Sequence, residues 1–447
     1  MSDGFPPRGG ALNPLHLMKR LLLVLRRYDR RFWMLVLVQL IVAVGFGAAM
    51  PFVSLYLHTR LGVPMTLVGT ILLTSALVAS GGRIVGGEVA DRLGRRPVVL
   101  VGMVARVVVF ALMAVAIQLR WSVWAVAAIF LMIRMVGAVV RPGLMAMVSD
   151  VVLPENRVEA FALFRIGTNA GWAIGPAVGG FMISVSYASV FALTTIASLI
   201  GLVLVMLFVR ESIQTTEPQR FALRRILDVG KDVRFLIFCG WGVLLFVVMA
   251  QFASTLAVFS TQDIGITESQ LGWLFTVNGI FVVLFQWPAA RLAARVGIRG
   301  GLALGCLGYA AGYFTVGLAP SLARIFGPLV QISLGNMVFS VAPGFAFLVG
   351  SMMLITLGEV VFSPVSMAAV ANMAPAARMG RYMGFFGLTE ALGWSLGPFI
   401  GGALYDRLAI APIMLWGIIA LIGITAAAGF ALTQKRESVS QPQTQIE

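Results

Sequence analysis

The chain has 447 residues, of which 59% are hydrophobic and only 11% charged, and its formal net charge is +15. Soluble domains carry about 25% charged residues, so this composition and a mean hydropathy of +0.95 exclude a soluble globule. Apolar runs of about 20 residues, long enough to cross a bilayer, recur along the chain. The sequence therefore predicts an all-α, multi-pass membrane protein.

Twelve transmembrane helices are predicted along the chain. Their centres, in chain order, are Ala43, Leu77, Phe110, Phe130, Gly171, Gly201, Phe246, Val282, Tyr309, Ile355, Trp394 and Leu421. One segment, 321–344, fits two interpretations. It is either an outer loop with an interfacial helix or a segment that displaces the tenth span.

The basic residues alternate between the two sides of this predicted bundle. We place 24 of the 33 Lys and Arg residues in the tails and alternate loops, 4 in the opposite loops and 5 inside spans. Because cytoplasmic loops are enriched in Lys and Arg, we expect a protein of the cytoplasmic (inner) membrane with both termini cytoplasmic. The basic N-terminal tail, residues 1–31, is either an interfacial helix on anionic headgroups or a charged lead-in to the first span.

Two internal repeats predict related halves. The ten residues "GWAIGPAVGG" at Gly171–Gly180 return as "GWSLGPFIGG" at Gly393–Gly402, 222 residues later and with six identities. The seven residues "ADRLGRR" at Ala90–Arg96 align with "AARVGIR" at Ala293–Arg299, at an offset of 203. An insertion near 321–344 accounts for the difference between the two offsets.

A charged linker over 210–234 separates the halves. We therefore expect six-helix bundles over 32–209 and 235–432, and a cytoplasmic C-terminal tail over 433–447. Duplicated halves of this kind are typical of secondary transporters, which bind substrate between the halves and work by alternating access.

The segment "GEVADRLGRRP", Gly87–Pro97, resembles the loop signature G-x-L-a-D-R-x-G-R-[RK] between the second and third helices of the major facilitator superfamily. The resemblance implies two pseudo-symmetric six-helix bundles and a latch between them that holds the outward-facing state. The latch residues that it implies are Gly87, Asp91, Arg92, Gly94, Arg95 and Arg96, with Asp150 as their partner. The alternative is a solvated turn whose arginines only set the topology.

The glycine repeat resembles the fifth-helix antiporter signature of drug:proton exchangers in that superfamily. Its residues are Gly171, Gly175, Pro176, Gly179 and Gly180 in the fifth span, and Gly393, Gly397, Pro398, Gly401 and Gly402 in the eleventh. Small residues at this spacing also allow close helix packing, which is the structural alternative. The fourth-span signature is incomplete, because "RMVG" at Arg134–Gly137 is one residue short of R-x-x-x-G.

Ionisable side chains inside spans are costly and therefore indicate function. Glu359 lies among apolar residues, which favour the protonated carboxyl, and is the predicted proton-coupling residue; the alternative is a carboxylate neutralised by an arginine. Glu390 is a second proton or cation site, or the partner of an arginine near the cytoplasmic end. The predicted cations of the substrate cavity are Arg106, Arg134 and Arg141, the last two seven residues apart on one helix face.

These features favour a proton-coupled antiporter that exports hydrophobic small molecules or drugs, driven by the proton gradient, with no cofactor and no metal. The alternative is a proton symporter or facilitator for a metabolite, peptide or organic anion. The sequence offers no nucleophile with a base and no metal motif, so we expect no enzyme. The expected partners are a small-molecule substrate, protons and the lipid bilayer, with no nucleic acid, and we expect a monomer.

Overall fold

The computed structural model describes residues 27–153, 156–209, 228–327, 330–334, 337–375 and 378–433. Almost all of the basic N-terminal tail, most of the linker and nearly all of the C-terminal tail lie outside these residues. The two interpretations of the N-terminal tail therefore stay open.

Six helices form the first half. They are α1 (Arg30–Arg60, whose last turn is a π-helix), α2 (Met65–Leu93), α3 (Arg95–Gln118), α4 (Val123–Val151), α5 (Arg157–Ile183) and α6 (Tyr187–Phe208). Serine side chains cap the N-termini of two of these helices. Ser122 accepts a hydrogen bond from the Ala125 N–H in α4, and Ser186 accepts one from the Ser189 N–H in α6.

The second half repeats this pattern after a short 3₁₀ turn, Asp228–Lys231. Its helices are α7 (Val233–Gln262, interrupted by a 3₁₀ turn), α8 (Glu268–Ala293), α9 (Arg295–Leu322), α10 (Pro343–Met373), α11 (Met379–Leu408) and α12 (Pro412–Thr433). Asp232 caps α7, and α8 begins with a reciprocal capping box between Thr267 and Gln270.

Within the described ranges, ten of these helices are long and apolar enough to cross a membrane. The other two, α5 and α11, have 27 and 30 residues and carry the glycine repeat. Every predicted span centre lies inside a helix, so the prediction of a multi-pass helical membrane protein is confirmed. The count of twelve spans stays a prediction.

Glycines with a left-handed backbone make the two corresponding turns between helices. Gly94 has φ 101° between α2 and α3, and Gly297 has φ 71° where the helical run from α8 into α9 breaks. The offset of 203 residues that aligns the shorter repeat also aligns these two glycines. A side chain with a Cβ is strained at such φ values, so both halves keep the residue that the turn requires.

Part of the fold expectation for 321–344 is wrong. The helical backbone continues past the apolar span of α9 to Phe326. The chain then forms an antiparallel hairpin of β1 (Val330–Leu334) and β2 (Met337–Val341), with Val330 opposite Val341. The hairpin replaces the expected interfacial helix, and the tenth span is not displaced because α10 contains Ile355. The physical reason is local, since β-branched residues on both sides of Gly335-Asn336 favour strands.

The most extensive contacts between the two halves are those of α2 with α11 and of α5 with α8. Within each half the glycine-repeat helix packs on the first helix, so α5 lies against α1 and α11 against α7. We call the end where α2 begins and α11 ends the closed end. The opposite end, with the Gly94 and Gly297 turns, is the basic end.

Candidate functional site

The glycine repeat sets the spacing of the helices that surround the space between the halves. A Cβ on Gly175 would lie 2.7 Å from the Val44 carbonyl oxygen of α1, and a Cβ on Gly397 would lie 2.8 Å from the Val247 oxygen of α7. Both obstacles are backbone atoms, so the helix pairs approach this closely only because the repeat supplies glycine.

The last glycine of each repeat faces the other half. A Cβ on Gly180 of α5 would lie 2.6 Å from the Glu268 oxygen of α8, while Gly402 of α11 lies against the Met65 backbone of α2. Gly272 of α8 in turn lies against the Pro176 carbonyl, where a Cβ would be 2.5 Å away. The repeat therefore serves packing within each half and between the halves.

Hydrogen bonds between the halves reinforce the closed end. Ser54 of α1 donates to the Ala253 carbonyl of α7 at 3.3 Å, and Tyr187 of α6 donates to Glu268 of α8 at 3.4 Å. Asp406 of α11 accepts the backbone N–H groups of Met65 and Thr66, the first residues of α2, at 2.8 and 2.7 Å. A carboxylate at a helix N-terminus is favoured by the unpaired N–H groups and the helix dipole.

At the basic end, charged residues of the two halves face each other without forming an ion pair in the described part of the chain. Glu390 of α11 interacts electrostatically with Arg165 of α5, Arg141 of α4 and Arg83 of α2, and all four residues are exposed. The alternatives for Glu390 stay predictions. The first half thus contributes cations at this end and the second half contributes an acid.

The residues of the expected latch lie at the basic end of the first half. Arg95 of α3 forms an ion pair with Asp150 of α4, and both side chains are about one-fifth exposed. Arg96 donates to the carbonyl oxygen of Val209, the residue after α6, at 2.7 Å. It also donates to the carbonyl oxygen of Met206, in the last turn of α6, at 3.1 Å. These contacts join helices of the same half.

The other expected latch residues contribute less to this cluster. Arg92 pairs with Glu88, one turn earlier on the same helix, where both side chains are exposed. Gly94 makes the turn. The Asp91 side chain and the surroundings of Gly87 lie outside the described part of the molecule. The latch between halves stays a prediction.

Glu359 is held by a polar group from a neighbouring helix. Asn278 of α8 donates through its amide nitrogen to Glu359 Oε2 at 3.0 Å and to Thr356 Oγ1 at 2.9 Å. Tyr309 and Tyr313 of α9 are close enough to interact with its charge. Among the described residues no Lys or Arg pairs with Glu359, which argues against an arginine-neutralised carboxylate.

Two arginines of the first half flank an aromatic side chain. Arg106 of α3 is only 6% exposed, its Nε donates to Ser198 Oγ at 3.2 Å, and its Cζ lies 4.9 Å from the Phe110 ring centre. Phe46 of α1 lies 5.6 Å from the Arg106 Cζ and 6.0 Å from that of Arg134 in α4. The two predicted cavity cations therefore meet at Phe46.

These guanidinium groups are poorly compensated. Nη2 of Arg106 and Nε of Arg134 are buried and have no hydrogen-bond partner in the described part of the chain. Removing one charge from water costs on the order of several kcal/mol, and a cation–π contact returns about 0.5–2 kcal/mol. The third predicted cation, Arg141, is exposed and belongs to the group that faces Glu390.

Sequence reasoning missed three residues that shape this region. Asn278 is the hydrogen-bond partner of Glu359, and Phe46 is the neighbour of Arg106 and Arg134. Asp406 joins the halves. Asn278 carries a detectable signal, since it is a lone amide in the apolar run "LFTVNGIFVV". Phe46 resembles many other lipid-facing or packing aromatics, so no pattern singles it out.

The fold and these sites define a helical membrane protein with two related halves and charged residues where the halves face each other. A sequence profile of the Major Facilitator Superfamily matches residues 35–334 and 233–446, which together cover nearly the whole chain. The chain therefore belongs to the Major Facilitator Superfamily and is a multi-pass membrane transporter, as the loop signature predicted.

Relatives of similar length extend this result. The chain is 26% identical over 423 residues to "Uncharacterized MFS-type transporter YttB" of Bacillus subtilis (strain 168), covering 93% of this chain and 98% of the relative. It is also 26% identical over 415 residues to "Multidrug resistance protein MdtH" of Edwardsiella ictaluri (strain 93-146), covering 91% and 94%. One relative thus carries a name that matches the predicted efflux function.

Solved structures support the fold alone. The nucleoside transporter NupG superposes with a TM-score of 0.70 at 16% identity, covering 91% of this chain and 99% of that one. The peptide transporter POT in complex with sulfate superposes with a TM-score of 0.68 at 17% identity, covering 90% and 93%. At these identities neither neighbour indicates a substrate for this chain.

Proposed function

We propose that this transporter is a proton-coupled antiporter that exports hydrophobic small molecules across the cytoplasmic membrane by alternating access. The observation that carries the proposal is the setting of Glu359, a half-buried carboxyl in the middle of α10 whose described polar partner is the amide of Asn278. A carboxyl with no permanent cation can take up and release a proton as the opening changes sides.

The proposal includes an orientation. Because basic loops face the cytoplasm, the basic end is the cytoplasmic end and both termini are cytoplasmic. The described arrangement is then open to the cytoplasm and closed to the outside by Asp406 and the glycine contacts. In the outward-facing state, the Arg95 region would close on the second half and act as the predicted latch.

All twelve helices cross the membrane in this proposal. α5 and α11 are less apolar because they carry the glycine repeat as well as Arg165 and Glu390, and in this proposal they line the central opening, where such residues are tolerated. The six-helix bundles over 32–209 and 235–432 then rock against each other, so that the closed-end contacts break when the basic end closes. The name of the relative, "Multidrug resistance protein MdtH", supports drugs as the substrates and export as the direction of transport.

A specific observation favours the second candidate, a symporter or facilitator for an organic anion. Arg106 and Arg134 carry buried nitrogen atoms without a described partner, which suits a substrate with a negative charge. The candidates differ in proton movement. An antiporter releases protons into the compartment that substrate leaves, a symporter moves protons in the same direction as substrate, and a facilitator moves none.

The deciding experiment measures proton movement in proteoliposomes under an imposed pH gradient, with a panel of lipophilic cations, anions and neutral compounds. We expect substrate to trigger proton release in the wild type and no release in Glu359→Gln. Glu88→Gln is the matched control, because Glu88 is exposed near the end of α2. Proton uptake together with substrate would favour the symporter, and unchanged coupling in Glu359→Gln would reject Glu359 as the coupling residue.

A further inference from the structure

The first half holds two cations around Phe46 without a described acid. No acidic side chain of the described residues pairs with Arg106 or Arg134, and the described charge close to Arg134 is another cation, Arg83. Glu390 interacts with Arg83, Arg141 and Arg165 but is not among the charges that act on Arg106 or Arg134. Glu359 is engaged by Asn278 in the other half.

The unsatisfied donors belong to the part of these arginines that is buried. Arg106 uses its Nε for Ser198, while its Nη2 is buried without a partner; Arg134 has a buried Nε without a partner. Cation–π contacts stabilise the charge over the Phe46 ring but do not accept these N–H bonds. Carboxylate, sulfonate and phosphate oxygens are the groups that guanidinium donors match in charge and geometry.

An apolar wall continues from the same ring. Trp172 of α5 meets Phe46 edge-on, with ring centres 5.8 Å apart, and remains 39% exposed. Arg134 is half-buried beside Phe46 on α4. A ligand that places an anionic group at Arg134 can therefore lay an aromatic or aliphatic body against Phe46 and Trp172.

We propose that Arg134, Phe46 and Trp172, supported by Arg106, form an anion-binding subsite that selects amphiphilic organic acids over neutral and cationic compounds of the same size. This inference rests on the proposed export function and names the substrate class for it. Arg134 contacts the anion. Arg106, behind Phe46 and nine-tenths buried, adds positive potential.

The test compares three ligands that share one ring system and differ in charge: naphthylacetate, naphthylacetamide and naphthylethylamine. Binding to the purified full-length protein is measured in detergent, without a proton gradient, from the quenching of tryptophan fluorescence and by competition. We expect the acid to bind at least about tenfold more tightly than the amide, and the amine to bind most weakly, because a desolvated charge pair contributes about this much.

Variants connect the preference to the residues. Arg134→Gln is expected to reduce the acid-to-amide ratio to about threefold or less, and Arg106→Gln to reduce it by a smaller factor. Arg324→Gln, at an exposed arginine near the end of α9, is expected to leave the ratio unchanged. If Arg134→Gln does not fold, the three ligands on the wild type still decide the outcome.

Several results would overturn the proposal: equal binding of acid and amide, tighter binding of the amine, no binding of the acid at millimolar concentration, or an unchanged ratio in folded Arg134→Gln. The proposed function fails separately, in the proton-movement experiment. Export of cations with proton release would reject this subsite and keep the antiporter. Acid binding without proton coupling would keep the subsite and reject the antiporter.

Discussion

Asp406 in the last turn of α11 accepts hydrogen bonds from both the backbone N–H and the hydroxyl of Thr66, at 2.7 and 2.6 Å, although the two residues are 340 positions apart. The pair joins the two halves of the transporter at the closed end. Any movement that opens this end must break it. Asp406 is therefore a point at which one substitution biases the conformational equilibrium.

Replacing Asp406 with Asn keeps the size of the side chain and removes its charge. We expect the cap on α2 to weaken by about 1 kcal/mol, which raises the ratio of open to closed forms at this end about fivefold. Spin labels at Leu119 and Ile410, exposed residues that follow α3 and α11, report the opening as a longer distance. The labelling background removes the buried thiols Cys239 and Cys306.

Arg407→Gln provides the control for that measurement, because it changes an exposed neighbouring charge on the same helix. Its distance distribution should match the wild type. An unchanged distribution in Asp406→Asn, or an equal change in both variants, would show that the cap does not hold the closed end.

The packing of the glycine repeat predicts that alanine is more destabilising at a glycine of the repeat than at a glycine that faces open space. Gly175→Ala places a Cβ 2.7 Å from the Val44 oxygen and 2.8 Å from the Ala48 nitrogen, so α1 and α5 must separate, and we expect a loss of about 1–3 kcal/mol of stability. Gly350→Ala in α10 meets open space and should be neutral or slightly stabilising. Thermal unfolding in detergent distinguishes the two, and equal midpoints would contradict the packing argument.

The sequence was sufficient for features that depend on local patterns. Apolar runs located the helices, and the shorter repeat aligned Gly94 with Gly297 because each turn needs a residue that tolerates positive φ. The glycine template likewise identified α5 and α11 as corresponding helices. Its spacing did not reveal that the last glycine of each copy, Gly180 and Gly402, faces the other half.

Features that depend on contacts between distant segments could not be read from one sequence. Asp406 appears as a loop-edge acid until α2 is placed beside it, and Asn278 becomes a partner of Glu359 only when α8 and α10 pack together. The hairpin over 330–341 was missed because its β-branched residues also raise the hydropathy of a segment between two spans. Short apolar runs do not distinguish a strand from a helix.

Variants of the Arg95–Asp150 ion pair test whether Arg95 acts only within the first half or also as part of a latch between the halves. Asp150→Asn leaves the mostly buried guanidinium of Arg95 without its acid, and we expect a loss of about 1–3 kcal/mol of stability. The charge-swapped double variant, Arg95→Asp with Asp150→Arg, restores most of it if the pair acts within the first half. A double-mutant cycle in thermal unfolding gives the coupling.

Transport by the same set of variants separates the two roles. If Arg95 also closes on the second half in the outward-facing state, the swapped variant regains stability but not the transport rate. Recovery of both would restrict the pair to its local role and reject the latch.

Removing the Asn278 amide tests whether its hydrogen bond to Glu359 supports proton coupling but not substrate binding. Asn278→Val removes the described donor to Glu359 and to Thr356, so we expect substrate-triggered proton release to fall about tenfold while substrate affinity changes less than about twofold. Gln286→Val changes an exposed amide two turns further along α8 and should leave both quantities unchanged. A parallel loss of affinity in Asn278→Val would place the amide in substrate binding.

Asp263, the residue after α7, predicts how stability depends on pH. Burial raises the pKa of this carboxyl, and the opposing effects of the Tyr405 hydroxyl, which donates to it at 2.8 Å, and of His58 are smaller. A raised folded-state pKa means that the stabilisation is fully present below the ordinary aspartate value of about 4 and is lost as pH rises through the folded-state value.

The thermal midpoint of the wild type should therefore fall relative to that of Asp263→Asn as pH increases from about 4 to about 8, because the variant has no carboxyl to ionise at this position. Parallel pH profiles in the wild type and Asp263→Asn would mean that the carboxyl has its ordinary pKa in the folded protein.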